Sequence, residues 1–223
     1  MFTINIISSC EGKVQLPKNV VVKAVFAFGD SIVDQGNNNY IQTIAKCNFL
    51  PYGKDFNGGV PTGRFCNGKT PPDLIGIVQV RRKKVGIFGI PPIGCLPSQR
   101  TLAGGLDRGC VKEYNEAAQL ANTKFSISID SLSKKLAQSK LVFVDIYNPL
   151  LDLIVNPQKF GFEEVEKGCC GTGKIEVTIL CNKFSGTCED DTKYLFWDSY
   201  HPTEKGYRIL VDQILKKYVY RFL

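Results

Sequence analysis

Ser31 is the first side chain of this sequence that could do covalent chemistry. It closes Gly29-Asp30-Ser31, directly after an apolar run over residues 20–29 that is typical of a buried strand. Where such a strand meets a following helix, backbone N–H groups converge and favour negative charge. The carboxyl edge of an open α/β sheet is also where ligands bind. A serine at this position is more often a helix N-cap, so Ser31 alone does not establish a nucleophile.

His201 is the only histidine of the chain, and Asp198 precedes it by three residues. Pro202 disfavours helical backbone at His201, which predicts a loop ahead of the last helix. In such a loop the carboxylate can reach the imidazole Nδ1 and fix the tautomer, leaving Nε2 free to accept a serine proton. An Asp and a His at this spacing are a common accident, but together with a serine at a strand end they predict a hydrolytic triad.

The elements that must position these residues alternate between strands and helices, which indicates an α/β fold with a parallel sheet. A final helix should begin after Thr203, a suitable N-cap. Between the first two strands lies a loop-rich stretch without a clear crossover helix, although a parallel connection ordinarily requires one. The sequence therefore predicts that something is missing near residues 76–81. The predicted strands are residues 20–29, 85–90 and 141–147, and the other predicted helices are residues 111–136 and 149–155.

Length and composition describe a globular protein of one domain, or at most two small ones. The 223 residues are 43% hydrophobic and 22% charged, which excludes a disordered chain, a collagen and a coiled coil. The net charge is +7, but the basic residues are scattered apart from a run at residues 81–84. We interpret that run as a solvated approach to the next strand rather than a nucleic-acid patch or localisation signal. No apolar run is long enough to span a membrane.

Nine cysteines indicate disulfides formed in an oxidising compartment. Structural zinc is the alternative, but the chain has one histidine and its cysteine spacings match no zinc pattern. Cys95 and Cys110 bracket a glycine-rich loop, while a cluster of four further cysteines allows three pairings that the sequence leaves open. An odd ninth cysteine implies at least one free or intermolecular thiol. The clustered cysteines are Cys169, Cys170, Cys181 and Cys188.

Residues 1–19 are interpreted as an N-terminal remnant or a degenerate signal segment. The stretch has no basic start, and Asn5 interrupts its short apolar part. The cysteines thus favour secretion, whereas this segment does not identify a signal peptide.

Several short motifs occur along the chain in a fixed order, and they include the three candidate residues. They are residues 28–34 with Gly36-Asn37-Asn38-Asn39, then residues 51–53, 63–65 and 67–69, then residues 89–95 and 169–171, and finally residues 198–202. In this order they resemble the plant GDSL esterase/lipases, members of the SGNH hydrolase superfamily. The resemblance covers nearly all of residues 24–222, in two pieces.

The resemblance implies a flavodoxin-like three-layer α/β/α sandwich and hydrolysis of carboxylic esters, of lipids or acylated small molecules. It implies Ser31 as the nucleophile, His201 as the general base and acid, and Asp198 as the residue that orients His201, with an acyl-enzyme intermediate. No metal or organic cofactor is implied, and typical members are secreted.

The middle of this sequence differs from the family pattern. Of the four motif blocks, the second supplies a glycine and the third an asparagine as oxyanion donors, and neither block occurs here. The backbone N–H of Ser31 is then the remaining family donor. We expect a hydrolase domain at residues 20–223 with an internal deletion near residues 76–82 and an incomplete parallel sheet. Asn37, Asn38 or Asn39 could substitute as donors, although a turn or cap role is favoured.

Two alternatives accompany the esterase interpretation. The chain could be a catalytically impaired relative that binds lipid or a partner. An ordinary α/β-hydrolase lipase is disfavoured, because Val33 stands where its nucleophile elbow requires a second glycine.

Overall fold

The structure, a computed structural model, describes residues 5–6, 26–75, 83–136, 139–172, 175 and 181–222. Helices and strands alternate through this part of the chain, as predicted. The strands are β1 (Asn5–Ile6), β2 (Phe26–Ala27), β3 (Lys83–Phe88), β4 (Ser139–Val144), β5 (Glu164–Gly168) and β6 (Tyr194–Phe196). The α-helices are α1 (Pro71–Ile75), α2 (Pro97–Ala103), α3 (Lys112–Lys135), α4 (Tyr147–Val155) and α5 (Glu204–Tyr218).

Three two-stranded sheets form from the described strands. β3 and β4 pair in parallel, from Lys83 opposite Ser139 to Phe88 opposite Val144, and α2 and α3 lie between them in the chain. β5 and β6 are also parallel, whereas β1 and β2 are antiparallel. The parallel β3–β4 pair, with helices in its crossover, confirms the predicted α/β class with an incomplete parallel sheet.

The best-packed core lies where α4 and α5 meet β6. Its residues are fully or almost fully closed to solvent and come from all three elements and the loop between α4 and β5. Burial of these side chains supplies most of the hydrophobic stabilisation in this half of the molecule. They include Leu150, Leu153, Ile154, Phe162, Leu195, Phe196 and Leu210. A smaller cluster joins Val142 and Val144 of β4 to Tyr218 of α5.

The long helix α3 confirms the periodicity read from residues 111–136, but not the burial of its apolar face. Ala118 and Ile129 are buried, whereas Phe125 and Leu132 on the same face are 47% and 46% exposed. α3 packs against β4. A sheet of two strands is too narrow to cover 24 residues of helix, so part of the predicted inner face meets solvent.

Three local predictions differ from the structure. Residues 20–29 lie partly outside the described residues; within them the strand is only Phe26–Ala27, and Phe28 is exposed rather than buried. A turn follows Ser31 instead of a helix. No strand was predicted within residues 161–196, yet this stretch holds β5 and β6, because strands of five and three residues leave little alternation to detect.

Two predictions fall largely or wholly outside the described residues. These are the N-terminal segment at residues 1–19, of which only Asn5 and Ile6 are described, and the deletion near residues 76–82. Among the described helices, none is both long and apolar enough to cross a membrane.

Candidate functional site

The three predicted site residues come together although the sequence separates them widely. Ser31 Oγ lies 2.6 Å from His201 Nε2, across 170 residues of chain. His201 Nδ1 lies 2.8 Å from both carboxylate oxygens of Asp198. His201 and Asp198 are 6% and 4% exposed, and Ser31 is partly exposed. A hydroxyl, an imidazole and a carboxylate therefore form one hydrogen-bonded line that ends in an accessible oxygen.

The Asp198 carboxylate is buried but surrounded by donors. Its Oδ1 accepts hydrogen bonds from the backbone N–H groups of Tyr200 and His201, at 2.9 and 2.8 Å. Burial acts to raise the pKa of Asp198, but the charge of His201 and these hydrogen bonds outweigh it, so the pKa lies below its ordinary value. The group is therefore ionised near neutral pH and can hold a protonated imidazole.

A tight turn presents Ser31. The Val33 N–H donates to the Asp30 carbonyl at 3.1 Å, and the Ile32 N–H donates to the Asp30 carboxylate at the same distance. An aspartate that accepts from the backbone two residues ahead stabilises such a turn. Asp30 thus shapes the backbone on both sides of the serine.

The loop after the turn is organised by the predicted asparagines. Asn39 Nδ2 donates to the Thr62 carbonyl at 2.9 Å, Asn38 Nδ2 to the Ala45 carbonyl at 3.1 Å, and Asn37 Nδ2 to Asp34 at 3.3 Å. The side-chain N–H groups of all three asparagines thus have hydrogen-bond acceptors in the protein. This supports the turn and cap role over an oxyanion role for them.

Gly36 is required at the start of that loop. Its φ of 118° lies in the left-handed region, and a Cβ there would meet the Thr62 carbonyl oxygen at 2.4 Å. The buried Asp34 carboxylate caps the next residues, accepting from the N–H groups of Gly36 and Asn37. The Ser31 turn is thereby anchored to the chain around residue 62.

A buried ion pair fixes the same region to α1. Arg64 donates to both carboxylate oxygens of Asp73, at 2.8 and 2.7 Å, and Gln35 donates to Asp73 at 2.6 Å. Asp73 also accepts from the Thr70 N–H and hydroxyl. A bidentate pair with its remaining lone pairs satisfied gives geometric definition, so the nucleophile loop has a rigid base.

β5 and the two residues after it pack against the loop that carries Asp198 and His201. Gly168 lies so close that a Cβ on it would come within 2.9 Å of the Asp198 backbone. The next two residues extend the pairing, since the N–H groups of Cys169 and Cys170 donate to the carbonyls of Phe196 and Trp197. Both cysteines are also in disulfides, so this support is covalently tied to the neighbouring loop.

Disulfide formation confirms the predicted oxidising chemistry of the cysteines and resolves the open pairings. The bonds are Cys95–Cys110, Cys169–Cys188 and Cys170–Cys181. Cysteines in disulfides are not available as zinc ligands, which removes the basis for structural zinc in these clusters. Cys47 and Cys66 are buried free thiols. Burial raises the pKa of both far above the usual range.

One contact of the site was not predicted. The Tyr52 hydroxyl donates to Asp198 Oδ2 at 2.8 Å, and both side chains are buried. Tyr52 belongs to the Pro51-Tyr52-Gly53 motif noted in the sequence, but that motif gave it no role. A second aromatic residue, Phe65, lies against the imidazole with ring centroids 5.2 Å apart.

Comparison with known sequences shows the family of this chain. The sequence model of the GDSL-like lipase/acylhydrolase family matches residues 69–214, which include Asp198 and His201. The Arabidopsis thaliana GDSL esterase/lipase EXL3 is 35% identical, with 94% of this chain and 91% of the relative covered. The Arabidopsis GDSL esterase/lipase EXL2 is 32% identical, with 95% and 92% covered.

These alignments are longer than the chain itself. The comparison with EXL3 runs over 332 positions, while the chain has 223 residues, so at least 109 positions hold no residue of this chain. Because most of both sequences is covered, those gaps lie inside the alignment. The internal deletion near residues 76–82 stays a prediction.

Proposed function

This chain belongs to the plant GDSL esterase/lipase family, a family of carboxylic ester hydrolases, and we propose that it acts through Ser31, His201 and Asp198. The observation that carries the proposal is the continuous contact from the Ser31 hydroxyl through His201 to Asp198. We propose esters of lipids or acylated small molecules as substrates.

We infer acylation from the order of the three groups, with the imidazole in the tautomer that carries its proton on Nδ1. His201 Nε2 accepts the Ser31 proton as Oγ attacks the ester carbonyl carbon, and the carbonyl oxygen takes up negative charge. Asp198 holds Nδ1–H and stabilises the imidazolium. His201 then donates the proton to the leaving alkoxide, the carbon–oxygen bond breaks, and the acyl group remains on Ser31. Water, activated by the same imidazole, attacks the acyl carbon and regenerates the hydroxyl.

Stabilisation of the oxyanion is the weak part of this catalyst. The Ser31 N–H is the donor that remains, since the glycine and asparagine blocks are absent from the sequence. Losing one such donor lowers kcat about 10²–10³-fold. Losing two lowers it by about 10⁴–10⁶-fold if the effects multiply. We therefore expect nucleophilic reactivity at Ser31 with slow turnover.

We assign this activity to residues 20–223 and place the missing positions near residues 76–82. A secreted protein is the proposed setting, supported by three disulfides, which form and persist in oxidising compartments.

A serine-directed fluorophosphonate probe tests the proposal best, because it requires one bond-forming event rather than turnover. We expect covalent labelling of the wild-type chain, its loss in Ser31→Ala, and a strong decrease in His201→Ala. A short chromogenic acyl ester, measured with the same variants, reports turnover. Thermal unfolding of each variant serves as the folding control.

Two outcomes would contradict the proposal. Labelling that persists in Ser31→Ala places the reactive nucleophile elsewhere. A folded wild-type chain that neither labels nor hydrolyses ester faster than Ser31→Ala would favour the impaired relative that binds lipid or a partner.

A further inference from the structure

The line of hydrogen bonds does not end at Asp198. The Tyr52 hydroxyl donates to Asp198 Oδ2 at 2.8 Å, while the two backbone donors both act on Oδ1. Apart from the imidazole, Tyr52 is the partner of that second oxygen in the described contacts. The two carboxylate oxygens are thus held by different parts of the chain, because Tyr52 and Asp198 are 146 residues apart.

The position of the Tyr52 hydroxyl is fixed by its ring. The ring makes edge contacts with Phe49, Phe65 and Trp197, with centroids 5.6, 6.2 and 6.4 Å apart. The residue is 4% exposed, so the hydroxyl cannot turn to water. A donor on a caged ring constrains the carboxylate more than one on a mobile side chain would.

The Tyr52 hydroxyl also keeps its proton. Burial, and then the negative charge of Asp198, raise the pKa of Tyr52 far above its ordinary value. The Cys47 thiol is a second hydrogen-bonding neighbour of the phenol. Tyr52 is therefore a permanent donor to the carboxylate.

We propose that Tyr52 is a positioning residue of the hydrolytic site, which orients His201 by holding Asp198 Oδ2. This inference rests on the proposed function of the triad. Tyr52 does not contact the reacting atoms. It fixes the plane of the carboxylate, so that the imidazole keeps Nε2 directed at Ser31 Oγ.

Tyr52→Phe removes the hydroxyl and retains the ring. We expect about a tenfold decrease in the rate of fluorophosphonate labelling, because a hydrogen bond to a charged group is lost. Tyr207→Phe is the matched control. Tyr207 is equally buried, and its hydroxyl is without a hydrogen-bond partner in the described structure. Its labelling rate should equal that of the wild type.

A double-mutant cycle separates positioning from packing. If Tyr52 acts through Asp198, adding Tyr52→Phe to Asp198→Ala should change the labelling rate by less than about twofold. An equal loss from Tyr52→Phe in both backgrounds would mean that the residue contributes packing alone and would overturn the proposal. A decrease of the same size in the labelling rate of Tyr207→Phe would also overturn the proposal.

The single imidazole provides a readout that does not depend on reactivity. In protein labelled with ¹⁵N-histidine, the Nδ1 proton of His201 gives one NMR signal, because the chain has one histidine. In Tyr52→Phe the Asp198 carboxylate loses one donor, so its hydrogen bond with the His201 Nδ1–H should strengthen. This should move the signal downfield. Tyr52→3-fluorotyrosine, a stronger donor of similar size, should move it upfield, and it also replaces Tyr52→Phe should that variant fail to fold.

The signal at the same position in all three proteins would overturn the proposal. A wild-type chain that does not label would contradict the proposed function, and the NMR comparison would still test the contact between Tyr52 and Asp198.

Discussion

At the scale of single residues, Asp198 shows how a buried charge is tolerated. Its oxygens accept from two backbone N–H groups, from the imidazole and from the Tyr52 hydroxyl. Donors of this kind stabilise the ionised form, and this is why the pKa of Asp198 falls below its ordinary value despite burial. The same contacts make the stability of the fold dependent on pH.

We predict that the contribution of Asp198 to this pH dependence is lost in Asp198→Asn. A carboxyl group with a lowered pKa in the folded state contributes stability above its ordinary pKa of 3.8, and this contribution is lost as the pH falls through the lower, folded-state value. Chemical denaturation between pH 5 and pH 2 should therefore show a steeper fall in the free energy of unfolding for the wild type. Parallel curves for the two proteins would contradict the prediction.

Residue types and spacing alone predicted the three candidate residues, but they did not predict the contact of Tyr52 with Asp198. Ser31, Asp198 and His201 could be named because Pro202 and the short spacing fix the local geometry of the last two, and a strand end suggested the first. Tyr52 could not be named. Its contact with Asp198 depends on where an irregular loop crosses the molecule, and no local spacing encodes that.

At the scale of elements, Thr203 links the loop of Asp198 and His201 to α5. Its side chain accepts from the Gly206 N–H at 3.2 Å, which confirms the predicted N-cap, and its hydroxyl donates to the Tyr194 carbonyl of β6 at 2.9 Å. The residue is fully buried and lies two positions after His201. One hydroxyl thus connects a helix end, a strand and the site.

Thr203→Ala should lower the free energy of unfolding by about 1–2 kcal/mol, because a cap and a buried hydrogen bond are both lost. Urea denaturation measures this change. Thr203→Ser keeps the hydroxyl and is the matched control, with a smaller loss expected. If alanine and serine destabilise equally, packing of the methyl group rather than the cap is responsible.

Elements with a strong period were predictable, and weakly patterned ones were not. The 24-residue helix α3 and the cap of α5 follow from apolar spacing and from threonine chemistry. β6 is three residues long, so side-chain alternation cannot reveal it. What lies against an apolar helix face is decided by the rest of the fold, and this is why the exposure of α3 was not foreseen.

At the scale of the whole molecule, several large apolar side chains of α3 and β3 are only half covered. Phe125 and Leu132 of α3 and Val85 and Phe88 of β3 are each close to half exposed. Relatives align over at least 109 positions that this chain lacks. Large exposed apolar patches mark interaction sites or a tendency to aggregate.

We predict that the native chain binds the dye anilinonaphthalene sulfonate, which reports exposed apolar surface. The double substitution Phe125→Gln with Leu132→Gln should reduce the dye fluorescence, because both residues lie on one face of α3. Leu106→Gln is the control, since Leu106 is a fully exposed leucine in a loop. Fluorescence that is unaffected by the double substitution would show that this face does not bind the dye.

The position of Asp198 depends on Gly168, a residue without a side chain. Even a methyl group there would meet the Asp198 main chain at 2.9 Å. A larger residue at this position must displace the Asp198 main chain or its own strand, although it does not touch the reacting groups. Substitution of Gly168 can therefore inactivate the protein, although Gly168 does not contact the reacting groups.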